Sequence, residues 1–219
     1  MFGGGPGGGD LTMMYGMLLN LPTVQKDLEL VDDQKAKIKE QGEKAQAAMR
    51  EMFTGMRDLS DDERRAKMQE NAKKMQARME EGKKAIEEIL LPHQLERLKG
   101  IALQRTGIRA LSFKQVQEDL KLTDDQVAKI KSINEAAGKK MRELFQAGGN
   151  PQDNFPKMQE IGKETEKQLE DVLTADQKAS LEKMKGEKLD IPASEMRGPG
   201  FGAGGPRGDR RRPPAKKAD

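Results

Sequence analysis

Val24-Gln25-Lys26-Asp27-Leu28-Glu29-Leu30-Val31-Asp32-Asp33-Gln34-Lys35-Ala36-Lys37-Ile38-Lys39 returns 92 positions later as Val116-Gln117-Glu118-Asp119-Leu120-Lys121-Leu122-Thr123-Asp124-Asp125-Gln126-Val127-Ala128-Lys129-Ile130-Lys131, identical at 12 of 16 places. In the same register Met49-Arg50-Glu51-Met52-Phe53 stands against Met141-Arg142-Glu143-Leu144-Phe145, and Lys67-Met68-Gln69-Glu70 matches Lys157-Met158-Gln159-Glu160 once two residues are dropped. Such a self-match is an internal duplication and predicts two homologous units of roughly 80 to 90 residues. They are placed at residues 11–104 and 105–191, between a Gly-rich opening at 1–10 and a tail at 192–219.

Each unit has little with which to build a core. Hydrophobic residues make up 34% of the chain against 35% charged, with six Phe, one Tyr and no Trp, a balance that suits long solvent-washed helices better than a compact enzyme core. The net charge of +3 hides a polarity: residues 197–219 hold seven Lys/Arg and two Asp, so residues 1–196 carry −2. Cysteine is missing, which excludes disulfides and thiol catalysis. No run approaches the ~20 apolar residues of a membrane span, and the opening Met1 to Asp10 has neither the charged nor the apolar region of a signal peptide, which taken literally points to the cytoplasm. Both low-complexity ends are expected to be disordered, because they bury too little to offset ordering entropy.

Between the ends the periodicity is helical throughout and predicts an all-α fold. Ile38, Gly42, Ala45, Met49, Met52 and Met56 alternate spacings of four and three, as do Met68, Ala72, Met75, Met79, Gly82, Ile86 and Ile89. The second unit continues the beat in Val127, Ile130, Asn134, Ala137, Met141, Leu144 and in Met158, Gly162, Thr165, Leu169, Val172. These are coiled-coil seams, and they predict a long helical hairpin in each unit with a short helix at either end. The helix starts are legible too. Thr123 with Gln126, Thr174 with Gln177, and Ser60 with Glu63 each pair an N-cap hydroxyl with an amide or carboxylate three residues on, the capping-box pattern. In the first unit the corresponding starts read Val31…Gln34 and Leu91…Gln94, without the hydroxyl. A lost Thr cap costs on the order of 1 kcal/mol, so these starts are expected to be the softer ones.

Leu122-Thr123-Asp124-Asp125-Gln126 and Leu173-Thr174-Ala175-Asp176-Gln177 are full LTxxQ motifs, and Leu30 to Gln34 and Leu90 to Gln94 are partial ones. Four copies, in order within a duplication, make residues 24–186 resemble a tandem of two units of the Spy/CpxP family of small bacterial envelope proteins. The resemblance implies a curved helical cradle, a periplasmic or secreted location, and a role as an ATP-independent chaperone or stress-response adaptor that binds unfolded or partner proteins. The chain departs from the family in fusing two units and in lacking the His-rich ligands of its metal-sensing relatives.

Six methionines on the first hairpin, Met49, Met52, Met56, Met68, Met75 and Met79, together with Met141 on the second, are the candidate client-binding residues, because flexible polarizable thioethers suit surfaces that accommodate many partners. The plainer reading makes them seam core, and a third makes them soft-metal ligands of a metal-responsive envelope protein. His93 is the sole histidine, which leaves no partner for a zinc site of ordinary ligation, and no Ser-His-Asp, Cys-His or paired-carboxylate constellation is evident, the single histidine being the main obstacle. Asp32-Asp33, Asp61-Asp62 and Asp124-Asp125 suit positive helix ends rather than a hard cation, and Gly3 to Gly9 lacks the Lys-Ser/Thr of a phosphate loop. No catalytic residue, cofactor or small-molecule substrate is expected. The tail from Arg207 to Lys217 could touch an anionic surface, which supports a rival reading as a cytoplasmic scaffold or nucleic-acid-associated protein. Fusion supplies a second unit in cis, so we expect a monomer with internal pseudo-dimeric symmetry. Light scattering during size exclusion at micromolar concentration checks this, and a stable dimer would contradict it.

Overall fold

A computed structural model describes residues 11–54, 59–146 and 151–197; the opening, the expected seam residue Met56, and the tail including Arg207 to Lys217 lie outside the described residues. The fold is all-α. Among the described residues nine α-helices and no strand occur: α1 (Thr12–Leu18), α2 (Pro22–Asp27), α3 (Asp32–Phe53), α4 (Asp61–Ile89), α5 (Pro92–Thr106), α6 (Lys114–Asp119), α7 (Asp124–Gln146), α8 (Pro151–Val172) and α9 (Ala175–Lys185), with a 3-10 helix at Gly107–Ser112 and a 3-10 turn at Glu195–Arg197.

The duplication is visible in hydrogen bonds that the two units share. Gln25 Nε2 donates to Leu19 O and Gln117 Nε2 to Leu111 O, both at 2.7 Å. α2 and α6 then end identically, on Glu29 (φ 51) and Lys121 (φ 50), left-handed residues followed by Leu30 N donating to Gln25 O and Leu122 N to Gln117 O. This is the Schellman ending, built without the usual glycine at a cost of about 1–2 kcal/mol each. The shared Gln bonds carry the 92-residue equivalence back to Leu19 and Leu111, well before the region of high identity.

α3 and α4 run antiparallel, because Gln34 near the start of α3 reaches Ile89 at the end of α4 while Met52 near the end of α3 meets Asn71 early in α4. α7 and α8 do the same through Gln126 with Val172 and Lys140 with Glu164. In the second hairpin the expected seam is followed throughout, from Val127 to Leu144 and from Met158 to Val172, all buried or half-buried. The first hairpin departs from it. Ile38, Ala48 and Met52 are buried but Ala45 and Met49 are exposed, and on α4 Met68 and Ala72 are exposed while Asn71 is buried. Asn71 Nδ2 donates to Met52 O at 2.8 Å; a buried amide must find a partner, and meeting it turns the arms so that Ala48, Met52 and Asn71 face inward.

The sequence match of Lys67–Glu70 with Lys157–Glu160 is not the structural one. Counting back 18 residues from Ile89 gives Asn71, and 18 from Val172 gives Asn154; both asparagines are buried, and the burial of Met75, Met79 and Ile86 is matched by Met158, Gly162 and Leu169 at the same spacing of 83. The apparent spacing of 90 differs by one heptad, the shift at which a seven-residue pattern matches itself.

A single core joins the units, with Leu11, Leu18, Leu98, Ile101, Leu103, Leu111, Val116, Ile130 and Leu169 among its members. α5 is the hinge of this arrangement. Its start closes the first hairpin, and its later residue Leu103 is the 92-spaced counterpart of Leu11, so the boundary expected between 104 and 105 falls inside one helix. The end of α9 lies across α5 at Gly100. Gln104 Nε2 donates to Lys185 O and Glu187 O, Leu189 N donates to Gln104 Oε1, and Arg97 donates to Glu187 O and, bidentately, to the Asp27 carboxylate. The tail, expected to be without order from residue 192, holds structure to Arg197: Glu195 accepts from Thr23 N (3.1 Å) and Thr23 Oγ1 (2.6 Å), satisfying an orphan donor at the start of α2. A Cβ on Gly100 would stand 2.8 Å from Lys185 O, a backbone atom with no rotamer to give. Gly100→Ala should therefore lower stability by about 1–3 kcal/mol despite the better helix former, read as an earlier midpoint in urea melts.

Candidate functional site

The hairpins are positioned by glutamines. In the first unit Gln34 Nε2 donates to Ile89 O (2.8 Å) and to Gln94 Oε1 (2.7 Å), while Gln94 Nε2 donates to Leu28 O (2.9 Å) and to Gln34 Oε1 (3.3 Å). Their carbonyl oxygens also accept from Val31 N (3.2 Å) and Leu91 N (2.9 Å). Every donor and acceptor position of both buried amides is filled. One pair of side chains thus ties together the end of α2, the start of α3, the end of α4 and the start of α5. Gln126 and Gln177 repeat the clasp with Leu120, Val172, Thr123 and Thr174, where Gln177 Nε2 reaches Leu120 O at 3.4 Å.

Thr123 and Thr174 complete their capping boxes by accepting from Gln126 N and Gln177 N. Ser60 and Glu63 form the expected box at the first hairpin's tip, where Ser60 hydroxyl and backbone hydrogen bonds hold the Glu63 carboxyl below the usual range. In the first unit the Val31 and Leu91 side chains offer no acceptor and stand 60% and 53% exposed, so only the glutamine half of each box remains. The softness expected there is opposed by deeper burial: Gln34 and Gln94 are buried, Gln126 and Gln177 half-buried.

With the bases fixed, the flanks of each hairpin can be read from helical geometry. Residues three apart differ by about 60° around a helix. Met49 precedes the inward Met52 by three and Met68 precedes the inward Asn71 by three, and in an antiparallel pair equal offsets fall on the same flank. Met49 and Met68 therefore share one flank, with Ala72 beside them; Met68 is 60% exposed. In the second hairpin Phe145 follows the half-buried Leu144 and Phe155 the buried Asn154, each by one residue, which again places both on one flank. Phe155 is 59% exposed.

It is the same flank in both hairpins, and its base half is covered. α1 lies over it in the first unit, with Thr12 against Gly82 and Asn20 against Gly42. In the second unit the 3-10 helix does so, through Arg109 against Gly162 and Glu166 and through Asn134 Nδ2 donating to Ser112 Oγ. The opposite flank is polar: Glu40, Lys44 and Glu51 are exposed on the first hairpin, and Lys140 pairs with Glu164 at 2.6 Å on the second. Toward the tips the described residues leave the flank that is covered at the base open, with Met49, Met68 and Ala72 exposed on the first hairpin and Arg142, Phe145, Phe155 and Gln159 on the second.

Of the candidate residues, the structure thus brings Met49 and Met68 to one exposed strip, leaves Met75, Met79 and Met141 half-buried along the seams, and buries Met52. Reasoning from sequence missed Phe145 and Phe155 as surface residues and missed the pairing of the glutamines. A signal for the latter exists: all four motif copies carry Gln where a capping box accepts Glu equally, as at Glu63, and only an amide can both donate and accept. Among the described residues no three His, Asp or Glu side chains gather to hold a metal, and no helix is long and apolar enough to cross a membrane. The groove between α5, α8 and α9 is lined by Arg105, Glu166, Glu170, Lys178 and Glu182. No family model matches the chain, and no curated protein or solved structure resembles it significantly.

Two substitutions check the clasp. Val31→Thr should raise stability by about 0.5–1 kcal/mol by restoring an N-cap at an exposed position. Gln94→Ala should lower it by about 1–3 kcal/mol, since the amide-bonded partners are left in a buried site. Urea melts in which neither substitution moved the midpoint would show that the bonds do not hold the hairpin base.

Proposed function

We propose that the protein is a non-enzymatic binding protein, an ATP-independent chaperone or stress-response adaptor that holds unfolded or partner proteins on its hairpin tips. The observation that carries this reading is the exposure of Met49 with Met68 and of Phe145 with Phe155 on one flank of each hairpin, among helices whose exposed residues are mostly charged or polar. Contiguous exposed apolar side chains mark interaction sites. The LTxxQ motifs and the Spy/CpxP resemblance they carry support the same reading and favour the bacterial envelope as its place.

The test is suppression of aggregation of an unfolding model client without ATP. Met49→Ser with Met68→Ser should weaken protection several-fold at nearly unchanged helix content, because Met68 is 60% and Met49 39% exposed, and adding Phe145→Ser and Phe155→Ser should weaken it further. Met52→Asp serves as a contrast: it puts a carboxylate in a buried site at a cost of several kcal/mol and should melt the first hairpin. Full protection by the fourfold serine variant would remove the flanks from the function.

A further inference from the structure

Among the described side chains of these two equivalent flanks, the first exposes the thioethers of Met49 and Met68 and the second the phenyl rings of Phe145 and Phe155. The chain has fourteen methionines and no cysteine, so the thioether is its only oxidisable sulfur. Among the described methionines the exposures differ: Met68 is 60%, Met13 51% and Met49 39% exposed, whereas Met52, three residues from Met49 on the same helix, is 7% exposed.

We propose that Met49 and Met68 are a methionine-oxidation site that lowers binding by the first hairpin while leaving the second hairpin's flank in use. This rests on the flanks being the binding surface. The step needs a hydroperoxide. With hydrogen peroxide, a sulfur lone pair attacks one peroxide oxygen, the S–O bond forms as the O–O bond breaks, and the departing hydroxide takes the proton from the oxygen now on sulfur and leaves as water; sulfur is oxidised by two electrons and the peroxide reduced by two. The sulfoxide is polar and accepts hydrogen bonds, so the strip ceases to be apolar. Helix packing is not at stake, since Met49 and Met68 lie outside the seam that Ala48, Met52 and Asn71 close. Phe145 and Phe155 are inert to the same oxidant. Oxidation therefore converts a two-flank binder into a one-flank binder, reversibly wherever a sulfoxide reductase acts.

The experiment treats the full chain with dilute hydrogen peroxide and follows three readouts: peptide mass mapping, circular dichroism and client protection. Expected are early conversion of Met49, Met68 and Met13 with Met52 spared, unchanged helix content, and a several-fold partial loss of protection. Met49→Leu with Met68→Leu, whatever level of protection it starts from, should lose none of it on peroxide treatment, whereas Met13→Leu should lose protection as the wild type does. Two results would overturn the inference: undiminished protection with Met49 and Met68 fully converted, or a loss that accompanies falling helix content. Absence of protection by the untreated protein would instead overturn the underlying binding function, so the two failures are distinguishable.

Discussion

Two side-chain amides at the base of each hairpin hold four backbone segments at once, and the placement of every other feature is measured from them. A glutamine can donate twice and accept twice. In the first clasp all of these valences are spent on the end of α2, the two arms of the hairpin, the start of α5 and the opposite glutamine. Hydrogen bonds linked in this way polarise one another in a poorly solvated site, and the loss of any member leaves buried polar groups without partners. The clasp pairs the arms at the base, and further out the bond of Asn71 to Met52 O decides which methionines of the first hairpin turn inward and which lie on the flank.

Stability and accessibility are accordingly distributed along each hairpin. At the base lie the clasp, the buried Ile38 and Ile86 or Ile130 and Leu169, and the covering segment; toward the tip lie a capping box and surface ion pairs such as Lys67 and Lys74 with Glu70, whose carboxyl they hold down at about 2. Exposed pairs of that kind contribute little, so the tips belong to the low end of local stability. The binding surface proposed above would lie where rearrangement is cheap, while the base keeps the arms from drifting apart.

How much of this was legible in the sequence depends on the range of the interaction involved. All-α character, both hairpins and the three complete capping boxes follow from spacings of three and four residues, and such local rules suffice. Tertiary demands decide the rest. Asn71 reads as a polar interruption beside the seam, yet its bond to Met52 O sets which face of α3 and α4 is buried. Gln34 and Gln94 read as remnants of weakened caps, because nothing local announces that an amide will meet another 60 residues away. Glu195 reads as part of a tail until Thr23 is seen to need a partner. Phe145 is visible in the repeat, but its exposure is settled only by the turn of α7.

The two hairpins differ by nine residues, 92 spacings between the first arms against 83 between the second, and the whole difference lies beyond Met52 and Asn71 on one side and Leu144 and Asn154 on the other. α4 is 29 residues long and α8 is 22, so the first hairpin's second arm carries one extra heptad, about 10 Å of helix. A whole heptad preserves the inward face, whereas an insertion of one residue would rotate the strip by about 100°. The tips are thus free to vary in reach in discrete steps without disturbing the bases. Divergence after the duplication can lengthen one arm, and with it the reach of the hairpin, while the molecule's frame stays as it was.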